Sequence, residues 1–246
     1  MKEPKIVVGL TTWKKRIKTA YKTIESILNQ TRPADCVELN VDYENFPNGI
    51  MDIPTEIVAL ANKFSNFKIY WSYKDYKVWL KSVPSIRRHV GEDYLLFTLD
   101  DDCIYNEDYI EKSLANFDRS KYQYMNTSTQ GIAGEYMLYD GNFLDKCRPY
   151  LTNDFIEKVK VDDCCMLHFA NKFGAKLAPR VPEDICKDQL LGYSYRREFS
   201  KELPPGVNDV SHWTKNDGTY PMSILQQELT IITRQLNKSP GELLRG

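Results

Sequence analysis

The sequence contains no apolar run near the roughly 18 residues that a membrane-spanning helix needs, and its opening, MKEPKIVVGL, lacks both the long apolar stretch and the small-residue cleavage site of a secretory signal. A cytoplasmic chain is the resulting expectation, with any membrane contact limited to peripheral association at the cytoplasmic face. Blocks of like charge are missing too. With 33 Lys plus Arg against 34 Asp plus Glu, a net charge of −1, there is little to neutralise a phosphate backbone, and nucleic acid is excluded as a partner class. The six cysteines (Cys36, Cys103, Cys147, Cys164, Cys165, Cys186) form no C-x-x-C pair. They read as reduced core thiols, and no chemistry is assigned to them. Internal repeats and low-complexity tracts are likewise absent.

What is present is material for one sizeable core. A chain of 246 residues that is 42% hydrophobic and 12% aromatic is globular, with the length of a single domain. Lys5 to Leu10 (KIVVGL) is a β-branched run that reads as a buried parallel strand. From Lys15 to Asn29 the residues Ile17, Ala20, Tyr21, Ile24, Ile27 and Leu28 recur at helical spacing, and Pro33 marks the stop. Strands follow at Cys36 to Val41, Phe67 to Trp71 and Tyr94 to Leu99, separated by a short helix at Pro54 to Phe64 and a third helix at Val78 to His89. Strand alternating with helix four times over predicts a mostly parallel sheet flanked by crossover helices, an α/β fold. The second half is less regular. It offers a strand at Tyr122 to Thr127, a helix at Asp163 to Phe173, a loop rich in Pro and charge between Pro179 and Trp213, and a C-terminal helix at Pro221 to Leu236. That last helix carries Met222, Leu225, Leu229, Ile232 and Leu236 on one face, for packing onto the core or a second subunit.

Three consecutive carboxylates, Asp100, Asp101 and Asp102, stand directly after the fourth strand in FTLDDDCIY. Like charges this close cost free energy unless a cation offsets them. In an open parallel sheet the carboxyl ends of the strands are where ligands bind, so the cluster is placed to hold a divalent cation. Hard oxygen donors suit magnesium or manganese, completed by substrate phosphates and water. The bland alternative is a solvated acidic turn capping a helix that starts near Asn106.

With these residues in view the chain resembles a nucleotide-sugar glycosyltransferase of the GT-A fold, similar to glycosyltransferase family 2. An N-terminal strand leads into a helix ending SILNQTRP (Ser26 to Pro33), much as family members open. The family's Asp-x-Asp metal motif matches Asp100 to Asp102. Its distal Glu-Asp pair, followed eleven residues later by Gly, matches Asp162-Asp163 and Gly174 in VDDCCMLHFANKFGAKL. The resemblance implies one GT-A domain, with a nucleotide-sugar-binding half over 1–116 and an acceptor-binding half with the C-terminal helix over 117–246.

It also implies transfer of a sugar from a nucleoside diphosphate sugar, a UDP-sugar foremost, to the hydroxyl of a glycan or glycolipid, with inversion, in surface polysaccharide or lipopolysaccharide synthesis. Asp102 and Asp100 would hold the manganese or magnesium ion, with Asp100 and Asp101 also on the donor. Asp163 would be the base that deprotonates the acceptor, with its neighbour Asp162, which stands where the family has Glu, as the alternative. Both acids also fit an N-terminal cap of their helix. Thr11 and Asp42 fall where family members bind base and ribose, although VDYENFP here replaces the family's DDGS-like phrase. Lys81 is either a diphosphate contact or a solvated lysine. His212, in VSHWTKND, is either a further ligand of the metal or diphosphate or packed structure, and Asp217 in the same loop is an acceptor candidate. His89 and His168 read as structural.

Two rivals remain. A phosphohydrolase of the haloacid dehalogenase type would use Asp100 as nucleophile and Asp102 as acid. That family carries its motif on the first strand of the core, whereas three strands precede it here, and the usual following Gly-Thr is missing. The other rival is a non-catalytic GT-A module that binds a nucleotide sugar without turnover.

Overall fold

The computed structural model describes residues 3–126, 137–160, 162–179 and 222–243. Six strands make one sheet in the order β3-β2-β1-β4-β6-β5. β1 (Lys5–Thr11), β2 (Cys36–Asp42), β3 (Phe67–Ser72) and β4 (Tyr94–Thr98) are mutually parallel, while β6 (Met137–Asp140) runs antiparallel to both β4 and β5 (Tyr124–Asn126). The α/β class expected from the alternating pattern is the one observed. The chain winds from β1 outward through β2 to β3, then returns to place β4 on the other flank of β1. Between β1 and β4 the winding direction reverses, which opens a crevice at their carboxyl ends.

Alternation along β1 explains the two layers. Ile6, Val8 and Leu10 point to a core shared with α1 (Ile17–Leu28), α2 (Thr55–Lys63) and α4 (Tyr109–Ala115), through Ala20, Ile24, Ile27, Ile57, Leu60 and Ile110. Val7 points to the opposite core, built with α3 (Val83–Arg88), α5 (Gly141–Cys147), α6 (Asn153–Lys158), α7 (Asp162–Phe173) and α8 (Met222–Leu236). In α8, Ile232 and Leu236 are buried there, so this helix packs on the core. Among the described residues no helix is long and apolar enough to cross a membrane.

Several expectations need correction. The helix read over Val78 to His89 is two pieces, a 3-10 turn at Lys77–Lys81 and then α3, with Pro84 in the first turn of α3. The helix after the acid cluster begins at Tyr109, not near Asn106. β6, α5 and α6 were not anticipated; each is short, and β6 is four residues (MLYD). Thr127, at the end of the strand read over Tyr122 to Thr127, and the whole Pro179 to Trp213 loop except Pro179 lie outside the described residues.

Candidate functional site

The acid cluster sits at the crevice between β1 and β4. The amide of Leu99 still donates to the carbonyl of Gly9 at 3.1 Å, so pairing of β4 with β1 runs up to the cluster, and the chain then turns. Tyr105 closes that turn: its hydroxyl accepts from the Asp100 amide at 3.1 Å and donates to the Asp100 carbonyl at 3.2 Å. The SILNQ phrase at the end of α1 holds the far side. Ser26 Oγ accepts from the Tyr105 amide at 3.0 Å, and Gln30 donates to the Asn106 carbonyl at 2.5 Å while accepting from the Ile110 amide at 2.9 Å. The polar residues of the phrase are therefore the clamp on the acid turn, which gives its spacing a physical reason.

Each carboxylate of the cluster has its own environment. Asp101 is 5% exposed and accepts from Thr12 Oγ1 at 2.5 Å, while its carbonyl accepts from Thr23 Oγ1 at 2.9 Å. Burial pushes its carboxyl above the ordinary range, opposed by Arg16, whose guanidinium lies 3.1 Å from Oδ1. The same guanidinium pairs with Asp102, which also accepts a weak 3.8 Å contact from Cys103 Sγ. Asp100 is the most open of the three, and Lys81 Nζ lies 3.4 Å from its Oδ1.

Lys81 also lies 3.4 Å from Asp162 Oδ2, at the first turn of α7. One ammonium thus joins two acid groups 62 residues apart in sequence, Asp100 and Asp162. The solvated alternative for Lys81 is overturned, since the residue is 7% exposed. Its placement depends on Gly9. A Cβ on Gly9 would overlap the carbonyl oxygen of Lys81 and touch Ser85 Oγ, so only glycine lets the 3-10 turn lie against β1. Asp163 is the second residue of α7, and its side chain lies outside the described residues, as do His212 and Asp217.

A cleft opens beside the cluster, lined by Thr11, Thr12, Trp13, Arg16, Asp75, Lys77, Val78, Lys81, Leu99, Asp100 and Asp101. Of the residues named for donor binding, Thr11, Lys81, Asp100 and Asp101 are here. Thr11 spends its hydroxyl on the Asn40 carbonyl at 2.8 Å. Asp42 ends β2 as anticipated but is not in this lining. It is buried, and its carboxylate accepts from the Asn45 amide at 2.7 Å and from Asn45 Nδ2 at 2.9 and 3.1 Å. Burial raises its pKa, opposed by those hydrogen bonds.

Trp13, Arg16, Asp75 and Lys77 are cleft residues that sequence reasoning did not single out. Arg16 carried a signal, because it shares helical spacing with Ala20, Thr23 and Ile27, all buried, and so belongs to the inward face of α1 and not with its lysines. Lys77 has a left-handed backbone (φ 56°), with its amide donating to Asp75 Oδ1 at 2.8 Å and its ammonium paired with the same carboxylate. A non-glycine residue in this conformation persists only where its surroundings hold it.

The donor chemistry of the cluster suits a hard divalent cation. Asp100, Asp101, Asp102 and Asp162 are four carboxylates against the two cations Arg16 and Lys81, a surplus of two negative charges within this described set. Among the described residues, the one set of Cys, His and carboxylate ligand atoms lying within 4.8 Å of one another is elsewhere: Cys36, Glu38 and His89. Its carboxylate is already engaged. Arg88 Nη2 lies 2.5 Å and Ser85 Oγ 2.5 Å from Glu38 Oε2, and His89 Nε2 is 2.9 Å from Oε1, which makes this a buried ion network under the amino half of β2. Cys36, packed against the edge of the core, also sits beside this charge, its Sγ 3.6 Å from Glu38 Oε1. Its thiol is pushed up to about 11 by burial and by Glu38.

No family model and no curated protein matches the chain. Among solved structures it is similar to a 4-diphosphocytidyl-2C-methyl-D-erythritol synthase from Anaerococcus prevotii, at 13% identity over 79% of this chain and 96% of that one, with a TM-score of 0.47.

Proposed function

We propose that the chain is a metal-dependent glycosyltransferase that moves a sugar from a nucleoside diphosphate sugar, a UDP-sugar foremost, to an acceptor hydroxyl on a glycan or glycolipid. The observation that carries this reading is Lys81, whose ammonium reaches both the acid turn after β4 and the acid pair that opens α7, at the mouth of the crevice between β1 and β4. A phosphate site and an acceptor site have to adjoin for transfer, and these are the two acid groups that would serve them.

In this reading Asp100 and Asp102 hold a magnesium or manganese ion, and Thr11 and Trp13 border the nucleoside. The ion, when bound, supplies Lewis-acid stabilisation of the charge that develops on the departing diphosphate. Lys81 and Arg16 add fixed positive charge on the same side. Asp163 takes the proton from the acceptor hydroxyl, whose oxygen forms a bond to the anomeric carbon as the bond from that carbon to the diphosphate breaks. Attack from the face opposite the leaving group inverts the anomeric centre. Residues 1–116 then form the donor half and 117–246 the acceptor half, with His212 assigned as a further ligand of the metal or diphosphate and Asp217 to the acceptor. A cytoplasmic setting with peripheral membrane contact, in surface polysaccharide synthesis, belongs to the same proposal.

The experiment is a donor screen that reads nucleoside diphosphate release with manganese, with magnesium and with chelator. The expected result is metal-dependent release from one UDP-sugar, abolished in Asp163→Asn while UDP binding survives. Metal-dependent binding with no turnover on any donor or acceptor would identify a non-catalytic module. Phosphate release from simple phosphomonoesters, lost in Asp100→Asn, would replace the proposal with the phosphohydrolase reading.

A further inference from the structure

Arg16 stands where a metal ion would have to compete with it. Its guanidinium faces Asp101 Oδ1 at 3.1 Å and pairs with Asp102 as well, so one planar cation spans two adjacent carboxylates. The carboxylates of the cluster consequently do not converge on a common point. Asp101 and Asp102 turn to Arg16, and Asp100 turns to Lys81. The rest of the turn is anchored independently of Arg16, through Thr12, Thr23, Tyr105 and Ser26. Arg16 can therefore leave without the turn collapsing. It is also positioned to move: its side chain is 23% exposed, and it lines the cleft proposed for the donor.

We infer that Arg16 closes the acid cluster to free metal, and that nucleoside diphosphate opens it by drawing the guanidinium from Asp101 and Asp102 onto its phosphates. Guanidinium binds phosphate in the same two-pronged manner as carboxylate, so the exchange preserves its hydrogen bonds while releasing Asp102 to the ion. Metal and nucleotide then bind cooperatively, each strengthening the other by the same factor. This inference rests on the donor-binding reading above and adds to it which residue couples the two ligands.

The test measures manganese binding, by loss of the free-ion electron paramagnetic resonance signal, with and without UDP, in the wild type, Arg16→Met and Arg16→Lys. The wild type is expected to bind manganese weakly alone and about tenfold or more tightly with saturating UDP. Arg16→Met is expected to bind manganese without nucleotide about tenfold more tightly than the wild type does, with the coupling factor falling toward one. Arg16→Lys, a point charge that cannot span both carboxylates, should lie between them. A manganese-dependent rise in melting temperature, larger in Arg16→Met than in the wild type, confirms that the variant is folded and that its folded form binds the ion more tightly. If the wild type binds UDP with manganese but Arg16→Met shows unchanged or weaker manganese binding without UDP, the inference fails while the donor site stands. If the wild type binds neither ligand, the donor reading fails and this inference with it.

Discussion

At the scale of single residues, the consequence of Lys81 is the most direct. Lys81 is buried against two acidic side chains, and removing it leaves Asp100 and Asp162 without that cation. Lys81→Met is expected to weaken UDP binding in the presence of manganese about 10- to 100-fold, the range for one charge-assisted contact, as measured by calorimetry. An unchanged affinity would remove Lys81 from the phosphate site. Gln30 makes a prediction of a different kind. It bridges Asn106 and Ile110 with both ends of its amide, so Gln30→Ala strands a half-buried carbonyl and a buried amide. The expected cost is about 1–3 kcal/mol, read as a lower urea midpoint at unchanged slope. Arg16 shows what a sequence conceals at this scale. Its basic neighbours invite assignment to the solvent face, and only its spacing from Ala20, Thr23 and Ile27 marks it as inward.

At the scale of elements, the 3-10 turn and α3 depend on a contact that no local pattern contains. Pro84 gives a local reason for a break near Ser82, but the turn lies flat against β1 because Gly9 has no side chain. Gly9→Ala is expected to destabilise the fold by about 1–3 kcal/mol, the range for forcing extra volume into a packed core, and to displace Lys81. Loss of UDP affinity should accompany the stability loss, measured on folded protein below its melting temperature; a variant that loses stability alone would separate the glycine from the site.

The N-terminal strands and helices were legible because each is an apolar run or a helical stripe bounded by turn residues. β6 and the short helices after it were not, since a four-residue antiparallel strand carries too little periodicity to distinguish it from loop. The acid turn was legible because three adjacent carboxylates have few structural uses. The residues that balance their charge were not, because Arg16 and Lys81 reach them from other elements.

At the scale of the whole molecule, two polar systems share the face of the sheet that carries the 3-10 turn and α3. The crevice lies at the carboxyl ends of β1 and β4, and the Glu38 network lies under the amino half of β2, so pH acts on stability through a group outside the cleft lining. Burial alone would raise the Glu38 carboxyl, but hydrogen bonds from His89, Arg88 and Ser85 outweigh it and hold it at about 2. A depressed acid stabilises the fold above its ordinary range near 4.5, and that contribution, about 3 kcal/mol, is lost as pH falls toward 2. His89 acts in the opposite sense. Burial lowers its pKa, but Glu38 and Glu92 raise it overall, so its contribution is complete below its ordinary range and fades as pH rises through the folded value. Glu38→Gln should lower stability at neutral pH and flatten its decline between about pH 5 and 2, followed by urea unfolding across that window. An unaltered acid limb would show that other carboxylates govern it.

The central claim is that the acid turn between β1 and β4 is a joint site for metal and nucleotide. Calorimetric titration of UDP into the protein with manganese, with magnesium and with chelator, repeated on Asp102→Ala, tests it most directly. The account predicts binding that requires the metal and disappears in the variant. UDP binding that is indifferent to chelator and to Asp102→Ala, or no UDP binding under any of these conditions, would contradict it.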